Sequence, residues 1–189
     1  MLGNRDLLHK KLGKRGLFMI HFYYGNGKGK TTAATGLAVR AAGTGMKVYV
    51  VRFMKNDHSG EIKSLQQLEN VTVELCSRTF GFTFDMTEEQ KREAKEYFTQ
   101  MLHNAVSEEN LKMYDMIVMD EVNVAYGYNL VNRNELLSFL EEYGCKKEIV
   151  ITGGQPHPEI LDLADYVSEI KKVKHPYDKG VNARKGIEF

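Results

Sequence analysis

Leu17-Phe18-Met19-Ile20-His21-Phe22-Tyr23-Tyr24 runs directly into Gly25-Asn26-Gly27-Lys28-Gly29-Lys30-Thr31-Thr32. The first eight residues are apolar and aromatic, too few for a core helix and too rich in Phe, Ile and Tyr for a loop. They predict a buried strand. Thr31 to Ala42 is Ala-rich and is followed by Gly43-Thr44-Gly45, which predicts a helix with its stop signal. A strand, a glycine-lysine-threonine loop and a helix in this order form the context in which such a loop cradles phosphates.

Each residue type in the loop has a chemical reason. Gly25, Gly27 and Gly29 let the backbone curl with N–H groups inward, and no Cβ obstructs an approaching phosphate. The helix beginning near Lys30 adds its positive end. Lys30 is placed to reach the terminal phosphates of a nucleotide, and the Thr31 hydroxyl to ligate Mg²⁺. The general pattern begins with Gly or Ala five residues before Gly29, where this chain has Tyr24. Further along, Met116-Ile117-Val118-Met119-Asp120-Glu121 is an apolar strand ending in two carboxylates. At the carboxyl end of a parallel strand, Asp120 or Glu121 is positioned to complete the Mg²⁺ shell. Helix capping is the other use for such a pair.

Outward from the loop the alternation continues. Strands are predicted over 46–53, 71–76, 114–119, 148–152 and 166–173. Helices are predicted over 60–69, 87–105, 133–143 and 158–164. The helix over 87–105 carries the clearest signals: Thr87 and Gln90 form a capping box, and Ala94, Phe98, Met101, Leu102 and Ala105 line one face. Continuously apolar strands alternating with helices predict an α/β domain, a mostly parallel β-sheet with helices on both faces. With the loop, this is a P-loop NTPase-like (RecA-like) arrangement. Residues 17–189 are expected to form one such domain. Residues 1–16 mix Leu2, Leu7, Leu8 and Leu12 with five basic residues, the pattern of a short amphipathic helix or a frayed terminus.

The chain has 189 residues and a formal charge of +1, with 42% hydrophobic and 27% charged residues. That balance gives no reason to expect a nucleic acid or a membrane surface as partner. Cys76 and Cys145 stand far apart, in no metal-spaced pair, and suit reduced thiols in the cytoplasm. No apolar run is long enough to span a bilayer.

The loop and its helix (Gly25 to Ala34, then Gly36-Leu37-Ala38-Val39-Arg40-Ala41 and Gly43-Thr44-Gly45) are joined by further stretches in order. These are Phe53-Met54-Lys55, Gly81-Phe82-Thr83-Phe84, Asp120-Glu121, Leu163-Ala164-Asp165, Lys174-His175-Pro176, and Gly180 through Gly186-Ile187-Glu188-Phe189. Together they resemble the P-loop corrinoid adenosyltransferases, which act on cob(I)alamin or cob(I)yrinic acid a,c-diamide. That family's loop also lacks the leading glycine. The resemblance implies transfer of the 5′-deoxyadenosyl group of ATP to a reduced corrinoid cobalt, with release of triphosphate. Co(I) is itself a strong nucleophile, so no Ser, Cys or His base is needed. Stabilisation of the departing triphosphate by Lys28, Lys30, backbone N–H groups and Mg²⁺ is the chief requirement.

The resemblance also assigns roles. Phe82 and Phe84 are expected to displace the axial ligand of the corrinoid. Phe80, Phe82 and Phe84 alternate, however, as one buried strand face does. Asn26, Thr32, Arg40, Lys55 and His175 are expected on the nucleotide. A reduced flavin protein as electron donor and a homodimer are family expectations. The chain departs from the family at Phe84, often Trp, at Arg52, commonly Gln, and at Gly154, commonly Arg. Two other readings share the loop: an ATPase or small-molecule kinase, with Glu121 orienting water or an acceptor, and a nucleotide-gated corrinoid-binding protein without catalysis.

Overall fold

The computed structural model describes residues 18–55, 59–81 and 85–189. The expected amphipathic segment 1–16 lies outside them. Six strands form one sheet: β1 (Ile20–Tyr24), β2 (Val48–Arg52), β3 (Val71–Glu74), β4 (Met116–Asp120), β5 (Glu148–Gly153) and β6 (Tyr166–Glu169). Their order is β3-β2-β4-β5-β1-β6, and all five pairings are parallel. The helices are α1 (Lys30–Ala42), α2 (Gly60–Leu65), α3 (Glu88–Ala105), α4 (Glu108–Met113), α5 (Val122–Gly127), α6 (Arg133–Tyr143) and α7 (Pro158–Leu163). A 3₁₀ turn covers Pro176–Lys179.

Strand alternation divides the core between the two faces of this sheet. Val48, Val50, Met116, Val118 and Val150 pack with Ala34, Ala38, Ala41 and Ala42 of α1. The small side chains on that helix face let its backbone lie close to the sheet. Tyr49, Val51, Ile117, Met119, Ile149 and Ile151 face the other way, against Phe98, Met101 and Leu102 of α3 and Leu136, Phe139 and Leu140 of α6. Every residue of β2 and β4 is buried. This is why those strands read as unbroken apolar runs.

The capping box at α3 forms as its sequence predicts. Thr87 Oγ1 accepts from Gln90 N at 3.2 Å, and Gln90 Oε1 accepts from Thr87 N at 2.9 Å. Some elements differ from expectation. Residues 108–113 and 122–127 form helices of six residues each where none is predicted. The last strand stops at Glu169 instead of continuing to Val173, because the chain leaves the sheet for the glycine loop. Ile170 N donates to Tyr24 O at 2.8 Å, and Ile170 O accepts from Gly27 N at 2.8 Å. No helix among the described residues is long and apolar enough to cross a membrane. Cys76 is buried and Cys145 partly so, and no disulfide joins them.

Candidate nucleotide site

β1 and β2 are separated in the sheet by β5 and β4, so α1 crosses both strands on its way from one to the other. The crossing carries the start of α1 over the carboxyl end of β4. Thr31 therefore meets Asp120: its Oγ1 donates to Asp120 at 3.0 Å from Oδ1 and 3.2 Å from Oδ2. β2 and β4 are in register, with Arg52 beside Asp120. The next turn of chain brings Lys55 Nζ to 2.8 Å from Asp120 Oδ2, 2.5 Å from Thr31 Oγ1 and 3.6 Å from Glu121 Oε1. From the end of β5, Thr152 Oγ1 donates to Asp120 Oδ1 at 2.6 Å and accepts from Glu121 N at 2.8 Å. Residues distant in sequence thus converge at the carboxyl edge of the sheet, the usual ligand side of such folds.

Asp120 is almost wholly buried, at 2% exposure. Burial works against its charge, but Lys55, Thr152 and Arg52 together outweigh burial and hold its carboxyl below the ordinary carboxylate range. Glu121 shifts the other way. Burial raises it, and the neighbouring Asp120 charge adds to that rise against the pull of Lys55. Arg52 is also buried; its Nη2 lies 3.3 Å from Glu61 Oε1 of α2, and its Nε 3.8 Å from Asp120 Oδ2. A cavity of about 10 Å³, lined in part by Thr31, Arg52, Glu61 and Asp120, adjoins the guanidinium and is the size of a single water.

The glycine loop divides into two halves with different duties. The expectation that all its glycines turn their N–H groups towards phosphate is corrected for the first two. Gly25 N donates to Gly154 O at 2.9 Å, and Gly27 N donates to Ile170 O at 2.8 Å. A Cβ on Gly25 would stand 2.4 Å from Ile170 O, and one on Gly27 would stand 2.8 Å from the Lys171 backbone. These glycines admit the returning chain. Asn26 belongs to the same clamp, its Oδ1 accepting from Lys172 N at 2.9 Å. Lys28, at 3.6 Å from Glu188 Oε1, ties the loop to the C-terminal segment.

The second half, from Lys28 to Thr32, leads into α1, whose first-turn N–H groups have no acceptor within the helix. Gly29, at φ +119°, makes the turn into that helix. Lys30 Nζ donates to Gly27 O at 2.9 Å, with its ammonium over the loop.

The remaining expected residues lie elsewhere. Arg40 is exposed in the last turn of α1, about 15 Å along the helix axis from Lys30. His175 caps the 3₁₀ turn, its Nδ1 accepting from Tyr177 N at 3.2 Å. Phe82 and Phe84 lie outside the described residues. Phe80 sits beyond the end of β3, its ring 5.7 Å from that of Tyr97 and 5.5 Å from that of Phe98. At Phe80, then, burial comes from packing on α3 and not from a strand face.

Thr152 and Glu61 were not expected as site residues. Thr152 has a legible signal: like Asp120, it is a polar residue closing an apolar strand at its carboxyl end. Glu61 has none, since its partner Arg52 is brought to it only by the fold. Thr31, Asp120 and Glu121 offer hard oxygen donors around a cationic centre, the Lys55 ammonium, and so fit Mg²⁺. Among the described residues no cluster of three His, Cys, Asp or Glu side chains could hold a metal. A shell built from these residues would be completed by phosphate oxygens.

Comparison with known proteins agrees with this architecture. The flagellar accessory protein FlaH of Methanocaldococcus jannaschii superposes with a TM-score of 0.53 at 14% identity, covering 88% of this chain and 77% of FlaH; the likeness is one of fold. In sequence, the corrinoid adenosyltransferase CobA of Salmonella typhimurium is 39% identical over 181 residues, 93% of this chain and 87% of the relative. The corrinoid adenosyltransferase of Escherichia coli K12 is 36% identical with the same coverage of both chains. Residues 15–189 match the family described as ATP:corrinoid adenosyltransferase BtuR/CobO/CobP. A match over nearly the whole chain, carried on a P-loop sheet whose loop threonine meets a strand-end aspartate, makes this protein a member of the ATP:corrinoid adenosyltransferase family.

Proposed function

We propose that this chain transfers the 5′-deoxyadenosyl group of ATP to the Co(I) of a corrinoid, with triphosphate as leaving group. The observation that carries the reading, beside family membership, is the bond from Thr31 of the loop to Asp120 of β4. It brings the loop, the carboxylates and Lys55 together at one edge of the sheet, which supports reading that edge as the polyphosphate site. The cobalt supplies the nucleophilic electron pair, the Co–C5′ bond forms, and the C5′–O bond breaks with its electrons passing to triphosphate. This chain's part is to hold the triphosphate in line and to stabilise the charge that gathers on it.

Lys30 and the open N–H groups of the first turn of α1 would receive that charge. Thr31, Asp120 and Glu121 would hold Mg²⁺, which supplies Lewis-acid neutralisation of the phosphate oxygens when bound. Asp120, kept ionised by its neighbours, suits that task. Lys55 stands where it can reach both carboxylates and the loop. Lys28 and Asn26 support the loop's shape from the side of the C-terminal segment, and Thr32 follows in the first turn of α1. His175 would act from the 3₁₀ turn and Arg40 from the far end of α1, so both would meet nucleotide only beyond its phosphates. Phe82 and Phe84 would press on the corrinoid to remove its axial ligand. A reduced flavin protein as electron source, a homodimeric assembly, a cytoplasmic setting and a single domain over 17–189 complete the proposal.

The test is anaerobic incubation with MgATP and a strongly reduced corrinoid. The light-sensitive cobalt–carbon chromophore should appear together with intact triphosphate. Phosphate release independent of corrinoid would instead mark an ATPase, and tight binding without turnover a carrier.

A further inference from the structure

Two cations adjoin Asp120, and they are held in different ways. Arg52 has a side chain only 4% exposed and is fixed by Glu61 at 3.3 Å. Lys55 is 30% exposed and, among the described residues, has oxygen neighbours on Thr31, Asp120 and Glu121, all within the candidate site. Those three are the donors that a divalent cation would use. The Lys55 ammonium is thus a single charge on a flexible stem, placed at the centre of a metal-type donor set with solvent beside it.

The backbone enforces this placement. Met54 has φ 60° and Glu121 has φ 61°, both left-handed conformations at residues other than glycine. Met54 immediately precedes Lys55, and Glu121 immediately follows Asp120, on the neighbouring ends of β2 and β4. Strained backbone of this kind persists where surrounding structure over-determines it, and it gathers at functional sites. Here the two strained residues turn the lysine and the second carboxylate towards each other.

Resting on the reading of the loop as a nucleotide site, we propose that Lys55 is a tethered placeholder cation. It holds the Thr31–Asp120–Glu121 donors in metal-binding geometry and excludes free divalent metal until a nucleotide polyphosphate draws its ammonium away. Like charges at contact distance repel strongly in a partly buried site, so ammonium and metal ion exclude each other there. The polyphosphate offers Lys55 an alternative anion on the adjoining loop and brings the metal with it. The donors remain preorganised throughout, because Thr152 and Arg52 stay on Asp120 when Lys55 leaves. Metal entry is thereby coupled to nucleotide entry, and free metal does not load the site on its own.

The experiment is Mn²⁺ titration of the nucleotide-free protein, followed by loss of the free-ion EPR signal. Wild type and Lys55→Arg should bind weakly. Lys55→Met should bind at least about tenfold more tightly, since one repelling charge is removed at contact distance. The gain should vanish when Asp120→Asn is added. Lys55→Gln repeats the test should the methionine variant fail to fold, as judged by its circular-dichroism melt. Unchanged or weaker Mn²⁺ binding on removal of the Lys55 charge would overturn the proposal, as would a gain that survives Asp120→Asn. Neither result touches the function itself, which wild-type turnover with ATP and reduced corrinoid decides separately.

Discussion

The strands of this sheet have polar residues at both ends, but the two ends use them differently. At the amino end, carboxylates accept chiefly from backbone N–H groups and serve chain entry; Glu148 accepts from Met19 N at 3.3 Å beside its pairing with His21. Asp165 Oδ2 accepts from Ile20 N at 2.9 Å, and Asp115 Oδ2 accepts from Lys47 N at 2.9 Å. His21 pairs with Glu148 and stacks on Tyr166 with ring centroids 4.8 Å apart. At the carboxyl end, one carboxylate serves Thr31, Lys55, Thr152 and Arg52 together. A group bonded chiefly to backbone N–H finishes a strand. A group shared among several cationic and hydroxyl partners, one of them the part-exposed Lys55, can exchange partners and so can bind.

Substitutions at the two ends should separate accordingly, and the loop gives the largest effect. Lys30→Ala should lower adenosyl transfer by about a hundredfold or more, since on the proposed mechanism a preorganised positive charge at the leaving group is lost. Assay of chromophore formation at saturating corrinoid checks this; retained activity would remove the loop from the mechanism.

Asp120→Asn should cost about 3 kcal/mol in denaturant unfolding, because Arg52 is left as an under-compensated buried charge. It should also change the acid limb of stability. The Asp120 carboxyl is held below its ordinary value. Its contribution is therefore present above the unfolded-state pKa of about 4 and is lost as pH falls through the lower folded-state value. Glu121, shifted upward, carries the opposite sign, its burden eased on protonation. Unfolding curves from neutral to acid pH should lose the Asp120 slope in the variant.

Thr152→Val is a smaller perturbation of the same end. It removes a donor to Asp120 and an acceptor for Glu121 N–H in a fully buried position, and should cost about 1–2 kcal/mol. KM for MgATP should rise with it, as Asp120 loses its fixed orientation. Glu148→Gln at the amino end is the contrasting case. Stability should fall by about 1 kcal/mol or less, and turnover should stay at the wild-type level. A turnover defect there would dissolve the distinction between the two ends.

Most of this architecture is legible in the sequence because it is set by local signals. The apolar runs of β2, β4 and β5, the Ala-rich face of α1 and the Thr87–Gln90 box each specify their own element. α5 escapes because its N-cap is Glu121 in a left-handed conformation, with no side-chain cap and only six residues. α4 has a Ser107 cap, whose side chain accepts from Asn110 N, but it is too short for its period to stand out. Loop, carboxylates and Lys55 are each legible as candidates. Their convergence is not, because it depends on α1 crossing two strands. The double use of Gly25 and Gly27 is hidden for the same reason: the chain they admit begins at Ile170.

The position of β1 between β5 and β6 has a consequence for how the protein comes to be folded. The first strand has no sheet neighbour until the fifth and sixth exist; His21 and its side-chain partner Glu148 stand 127 positions apart in the chain. During synthesis from the N-terminus, β2, β3 and β4 can associate while β1 and its glycine loop still wait. Nucleotide competence should therefore arrive only after β5 and β6 have been made. A nascent chain that cannot yet close its sheet is thereby kept from sequestering ATP.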